Sequence, residues 1–390
     1  MKLIANLIII ILKIKENDMK ILVSAETFGY GPISTCLSVA RELKKYKDVT
    51  LDFIGEGIAM EQAKLSGLFD NYYQCNVFDN DSLEKEKKLF KTYDIFLSSE
   101  NIKGAMFALK HVKNVYYIDN LVWMWDEIPE ELGKVKKFFI SETFSCKKNF
   151  KRIGHVVENP IFIGPIRNMK SKKSKKLKNQ LIINVGGAST FMIDQNIINE
   201  FYSKLINDVL ATPGIEKFKS IIICGGSQVI NSLKIESDLN VEVKTLENKE
   251  YIKKMKESTH CIMSSGLGNF IETLNQDKEI MYLPAVNYSQ LLQIDYYKTI
   301  DLGFSLLNWD SFDFFKEIPL YLEEQAGVDL VVENIKKYNS GNYRNKINES
   351  VKEYLDNSQK EYFKKRNRLF DQFDHNAAKT VASTIYDENK

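Results

Sequence analysis

The sequence predicts an α/β protein made of two successive units, each a parallel sheet with helices on its faces. Three observations carry that reading. Short apolar runs alternate with stretches of helical periodicity twice along the chain, and strands joined through helices run parallel. A segment with two prolines and a glycine, followed by a lysine run, separates the two alternations. The length, 390 residues, suits roughly two domains at about 150 residues each.

In the first unit, residues 20–24 read as a strand and 32–45 as a helix, with Ile33, Leu37, Val39, Ala40 and Leu43 at helical spacing. Strands are expected at 49–55, 95–98, 114–118 and 137–141, with helices at 59–67 and 103–110. Residues 159–176 read as a solvated linker ending in the basic run 170–176. The second unit repeats the pattern. Strands are expected at 181–185, 220–224, 241–243, 260–263 and 279–283, and helices at 196–210, 249–256 and 268–275. The tail from 345 to 386 reads as two long polar helices. The expected division is therefore an extension (1–18), a first domain (19–165), a basic linker (166–178), a second domain (179–344) and C-terminal helices (345–390).

Composition removes several function classes. Lys and Arg number 54 against 52 Asp and Glu, so no broad positive field is available to a nucleic-acid backbone. Apolar content of 44% with 27% charged residues is that of a folded globular chain. The 5 cysteines form no CxxC pair and read as small core hydrophobes in a reducing compartment. The 4 histidines lie far apart, which argues against a histidine-rich metal centre. Residues 1–12, MKLIANLIIIIL, are shorter than the ~20 residues of a membrane span, and no small-residue cleavage site follows. Met19 reads as a fresh start, so residues 1–18 are expected to be an upstream extension of a cytoplasmic protein. A weak anchor at the inner membrane face is the alternative.

Three strands of the second unit end in glycine turns: Gly186-Gly187 followed by Ser189 and Thr190, Gly225-Gly226, and Ser265-Gly266 with Gly268. Carboxyl ends of parallel strands form a binding crevice. Glycine admits close backbone approach there, hydroxyls donate to phosphate, and a helix start supplies free N–H groups. A phosphate-bearing ligand is expected, although the GxxxxGK[ST] pattern is absent. Glu272 lies nearly two turns into the following helix, where a carboxylate can accept from a ribose diol. The amides of Asn287, Gln290 and Gln293 suit sugar hydroxyls.

These parts, in this order, resemble a GT-B glycosyltransferase: two Rossmann-like, doubly wound domains facing across a cleft, with C-terminal helices. The likeness is carried by "HCIMSSGLGNFIETL", "LPAVNYSQLLQ", the closing "HNAAKTVASTI" and, in the first half, "ILVSAETFGYGPISTCLSVAREL". It implies that Gly266, Asn269 and Glu272 hold the nucleotide diphosphate and ribose. Gln290 falls on the glutamine of the family's sugar-binding pair, while Ser289 replaces its acid. Tyr30 stands where many members carry a catalytic histidine. A closer resemblance is to the cytosylglucuronate synthase branch, which joins cytosine to glucuronic acid from a UDP-sugar. It rests on Glu26, Phe28, Gly29, Tyr30 and Gly31, on "YIDNLVWMW" at 117–125, and on "LPAVNYSQ", and it implies a place in nucleoside antibiotic biosynthesis.

The expected protein is thus an inverting transferase that takes a UDP-sugar and a small acceptor, needs no metal and binds no nucleic acid. With the histidine missing, Glu26 and Asp119, each at a strand end, are the expected bases. Phe28, Gly29, Tyr30, Gly31, Trp123 and Trp125 are expected around the acceptor, with Tyr30, Trp123 and Trp125 stacking on it. Core packing explains Trp123 and Trp125 equally well. A sugar-nucleotide epimerase of the same fold, a membrane-associated transferase with a lipid acceptor, and a non-catalytic binding protein remain open.

Overall fold

A computed structural model describes residues 19–167, 177–188, 192–315, 317–319 and 322–390. The expected extension 1–18, the lysine run 170–176, and Ser189 and Thr190 lie outside the described residues.

The first domain is a seven-stranded sheet. Its strands are β1 (Met19–Ala25), β2 (Val49–Gly55), β3 (Asn71–Gln74), β4 (Ile95–Ser99), β5 (Asn114–Asp119), β6 (Lys137–Ser141) and β7 (Pro160–Ile163). They pair in parallel in the order β3-β2-β1-β4-β5-β6-β7. Helices α1 (Gly31–Leu43), α2 (Gly57–Ser66), α3 (Ile102–Ala108) and α4 (Cys146–Ile153) connect and cover it. The central strands are apolar on both faces because both are covered. In β1, Ile21 and Val23 join one buried cluster and Leu22 joins the other. Helix α1 forms where the apolar spacing predicts it, with Pro32 in its first turn.

The second domain is a six-stranded sheet ordered β10-β9-β8-β11-β12-β13. The strands are β8 (Lys178–Asn184), β9 (Ser220–Cys224), β10 (Val241–Lys244), β11 (Ser258–Ser264), β12 (Glu279–Leu283) and β13 (Ser305–Leu306). Helices α5 (Gln195–Leu210), α6 (Asn248–Glu257), α7 (Leu267–Leu274), α8 (Tyr288–Thr299), α9 (Glu324–Ser340), α10 (Arg344–Asp356) and α11 (Phe363–Asp371) complete it, and the chain closes with α12 (Ala377–Asp387). In each sheet the strand order reverses beside the first strand, at β1/β4 and β8/β11, and ligands bind outside such switch points.

Two expectations are corrected. Residues 160–163 are not linker but the edge strand β7, paired with β6; a proline is tolerated there because it is the strand's first residue at a sheet edge. The tail is not two long helices but three shorter ones, α10 to α12. The last of them returns to the first domain, where Ala377, Val381, Ala382 and Ile385 join the cluster of Ile33, Leu37 and Leu43. Among the described residues no helix is long and apolar enough to cross a membrane.

Candidate active site

The carboxyl ends of the two sheets face each other across one cleft. On the first-domain side it is lined by the turn after β1, Phe28 to Gly31, and by Glu100 and Asn120. The second-domain side is built from Gly186, Gly187 and Gly225, from Gly266, Gly268, Asn269 and Glu272, and from Asn287, Gln290 and Gln293. Glu26, Asp119, Trp123, Trp125, Gly226 and Ser265 are not among the lining residues.

The glycines divide into two kinds. A Cβ on Gly187 would lie 2.6 Å from the Gly29 Cα, and one on Gly226 would lie 2.2 Å from the Gly187 carbonyl oxygen. These turns are therefore packed on one another and on the opposite domain, and their missing side chains permit that approach. Gly266 is different: the nearest atom to a Cβ there would be Gln290 Nε2 at 4.0 Å. It caps α7 in extended conformation with no side-chain cap, so the first N–H groups of α7 open into the cleft.

Glu272 lines the same opening, and burial pushes its carboxyl up to about 7 against the pull of Arg167. Asn269 is occupied by the protein: its Oδ1 accepts from Asn184 Nδ2 at 3.1 Å and Tyr251 Oη at 2.9 Å, and its Nδ2 donates to Ser264. Asn287 caps α8, its side chain accepting from the Gln290 N–H at 2.9 Å. Gln290 Oε1 accepts from the Val286 N–H at 3.1 Å, while the Gln293 Oε1 is buried without a partner. Ser265 is buried, its hydroxyl donating to the Gln290 carbonyl and its own carbonyl accepting from Tyr297 Oη.

Of the expected first-domain residues, Tyr30 lines the cleft with its hydroxyl buried and unpartnered, and burial raises its pKa. Trp123 packs edge-on against Phe144 with ring centroids 4.8 Å apart. Trp125 Nε1 donates to both oxygens of Asp119, at 3.0 and 3.2 Å. Asp119 also accepts from the Leu121 N–H at 2.6 Å, and burial holds it at about 6. Glu26 accepts from the Thr27 N–H at 3.0 Å and is raised well above the ordinary carboxylate range, mainly by burial.

Two functional candidates were missed in the sequence. Glu100 follows β4, as Glu26 follows β1, but its φ of +60° turns it into the cleft. Its Oε1 accepts from the Asn120 N–H (3.2 Å) and Nδ2 (2.6 Å). Burial and the Asp119 charge push it to about 7. Arg167 leaves β7 and points into the cleft. Its Nη1 donates to Thr35 Oγ1 at 3.1 Å, while its Nε is buried without a partner, 3.4 Å from where a Cβ on Gly268 would stand. Asn120 Nδ2 also reaches Thr35 Oγ1, at 3.2 Å, so one polar chain links Glu100 to Arg167. The strand-end position was the available signal for Glu100; Arg167 had none.

No protein-family model matches this sequence, and no curated protein matches it. Solved structures do match. The spinosyn rhamnosyltransferase SpnG complexed with thymidine diphosphate is 9% identical with a TM-score of 0.54, covering 94% of this chain and 100% of that one. The S. aureus MnaA–UDP complex is 13% identical with a TM-score of 0.53, covering 94% and 96%. The two facing parallel sheets and these likenesses make the fold GT-B.

Proposed function

We propose that this protein is a glycosyltransferase that moves a sugar from a nucleotide-sugar donor to a small acceptor with inversion. The observation that carries the proposal is one cleft holding the uncapped start of α7 beside Arg167 on one side and Glu100 on the other. In this reading the diphosphate sits at the N–H groups after Gly266, Glu272 accepts from the ribose, and Gln290 and Gln293 face the sugar. The acceptor attacks the anomeric carbon as the bond to the β-phosphate oxygen breaks, and the electron pair leaves with the phosphate. Arg167 and the helix N–H groups offset that charge. Glu100 takes the acceptor's proton; Glu26 and Asp119, the bases expected from sequence, stand behind it.

That both fold relatives were captured with a nucleoside diphosphate supports the donor class. UDP as the nucleotide, glucuronic acid as the sugar and cytosine as the acceptor rest on the sequence resemblance; operation without a metal rests on helix N–H groups and loop amides that can offset the diphosphate charge. The five free cysteines are all buried, which accords with a cytoplasmic setting. The test is a melting experiment with UDP and thymidine diphosphate. Stabilisation is expected and Glu272→Ala should weaken binding about tenfold or more, a loss of ~1.4 kcal/mol. No response to any nucleoside diphosphate overturns the proposal. A mass-spectrometric screen of UDP-sugars with cytosine and simple acceptors then reads the product, and sugar turnover without an acceptor would point to the epimerase instead.

A further inference from the structure

One hydroxyl stands between the two groups that the transferase reading makes chemically active. Thr35 lies in the second turn of α1 and is fully buried. Its Oγ1 donates to the Gly31 carbonyl at 3.2 Å. With that proton committed the oxygen can only accept, and it has two lone pairs to do so. It accepts from Asn120 Nδ2 at 3.2 Å and from Arg167 Nη1 at 3.1 Å. Every hydrogen-bonding capacity of Thr35 is thus used, and its two donors come from the chain after β5 and after β7.

The Asn120 arm ends on Glu100. An amide nitrogen carries two hydrogens; here one goes to Thr35 and the other to Glu100 Oε1 at 2.6 Å. The Asn120 N–H reaches the same oxygen at 3.2 Å. Because Thr35 only accepts, it fixes which end of the Asn120 amide turns inward. Glu100 therefore meets donors, which favours its carboxylate form. Its Oε2 has no hydrogen-bond partner among the described residues and is left to take a proton. The Arg167 arm is saturated in the same way. Nη1 gives its two hydrogens to Thr35 and to the Ile166 carbonyl, the latter at 2.9 Å. That turns the other edge of the guanidinium to the second domain. Nε and Nη2 lie 3.4 and 3.7 Å from where a Cβ on Gly268 would stand, in the first turn of α7. Nε is buried with no partner of its own.

We propose that Thr35 is a positioning residue for the transfer, holding the acceptor's base and the cation beside the leaving diphosphate in one fixed geometry. It touches neither substrate and acts through Asn120 and Arg167. The acceptor loses its proton as the diphosphate gains charge, so both groups must be in place at the same step. The proposal rests on the transferase reading. It also gives a sign. Glu100 is faced by Asp119, Arg167, Glu26, Cys36 and Tyr117. Of these five Arg167 alone is a cation, and it pulls the Glu100 carboxyl down. Removing the hydroxyl frees the Asn120 amide to turn and loosens Arg167. Both changes favour the protonated acid, so Glu100 should titrate above its value of about 7.

The experiment compares the full chain with Thr35→Val, which keeps the branched shape, and Thr35→Ser, which keeps the hydroxyl. Calorimetric titration with UDP and thymidine diphosphate reads the Arg167 arm. Carbon NMR of labelled glutamate carboxyls reads the base arm, the Glu100 signal being the one lost in Glu100→Gln. Thr35→Val is expected to weaken nucleotide binding about fivefold or more. It should also move the Glu100 titration upward by about half a unit or more. Thr35→Ser should match the parent in both. If Thr35→Val does not fold, Thr35→Ala is the second hydroxyl-free variant, alanine being the best helix former. A hydroxyl-free variant that leaves either quantity unchanged overturns the inference, and so does a Thr35→Ser variant that loses both. A parent chain that binds neither nucleotide overturns the transferase reading, and the inference with it. Parent binding that is indifferent to Thr35 overturns the inference alone.

Discussion

Glu100 holds a backbone conformation that costs a non-glycine residue roughly 1–3 kcal/mol, and the Asn120 amide holds it there with two hydrogen bonds. If it is the base, Glu100→Gln should lower kcat about 10²–10⁴-fold while UDP affinity, read by calorimetry, stays unchanged. Its pKa of about 7 gives the pH profile. A base works deprotonated, so kcat/KM should climb between pH 6 and 8 with an inflection near 7 and level above it. Gly187 tests the opposite wall. A methyl group there meets the Gly29 backbone at 2.6 Å, and backbone cannot swing aside as a side-chain tip can. Gly187→Ala should cost about 1–3 kcal/mol in urea unfolding.

The last helices hold the molecule together as elements. Arg366 of α11 is fully buried and donates to the carbonyls of Leu302, Lys278 and Gly303 and to Gln359 Oε1. It also lies 4.2 Å from the Phe304 ring centroid. That fixes α11 to the second domain. Helix α12 then crosses to the first, where Tyr386 stacks on Tyr46 at 3.8 Å between centroids and Ile385 is fully buried. Ile385→Ala should therefore cost about 2–5 kcal/mol, measured as a lower denaturation midpoint. The polar composition of the tail concealed this: its apolar residues are few, and the break between α11 and α12 is set by the crossing between domains.

For the whole molecule, the shifted groups make stability depend on pH. Glu26, Glu100, Asp119, Glu272 and Glu324 are all raised, the last four to about 7, 6, 7 and 7. The unfolded chain releases these protons near 4. The folded protein keeps them, so this stability is present below that value and is lost as pH rises through about 6–7. His260, lowered by burial to about 4, acts oppositely: its contribution is gained between about 4 and 6.5 and is complete above. From pH 6.5 to 8 the carboxylates alone of these groups remain, and the melting temperature of the ligand-free protein should fall across that window. A flat or rising curve in scanning calorimetry would contradict the burial of these acids.

Both Rossmann-like units, their strand ends and the glycine turns were legible in the chain, because strand and helix periodicity report burial and glycine reports close approach. Glu272 and the start of α7 were legible for the same reason, since a strand, a turn and a helix are local. The face a strand-end acid presents was not. Glu26, Glu100 and Asp119 look alike in sequence, yet a positive φ sends only Glu100 into the cleft, while Trp125 occupies Asp119. Nor does spacing say which amide is already paired, as Asn269 is with Asn184 and Tyr251. Arg167 reaches the site only because β7 brings it between two helix starts more than 200 residues apart in the chain. Such choices depend on partners distant in sequence, and the two sheets had to be set face to face before they were made.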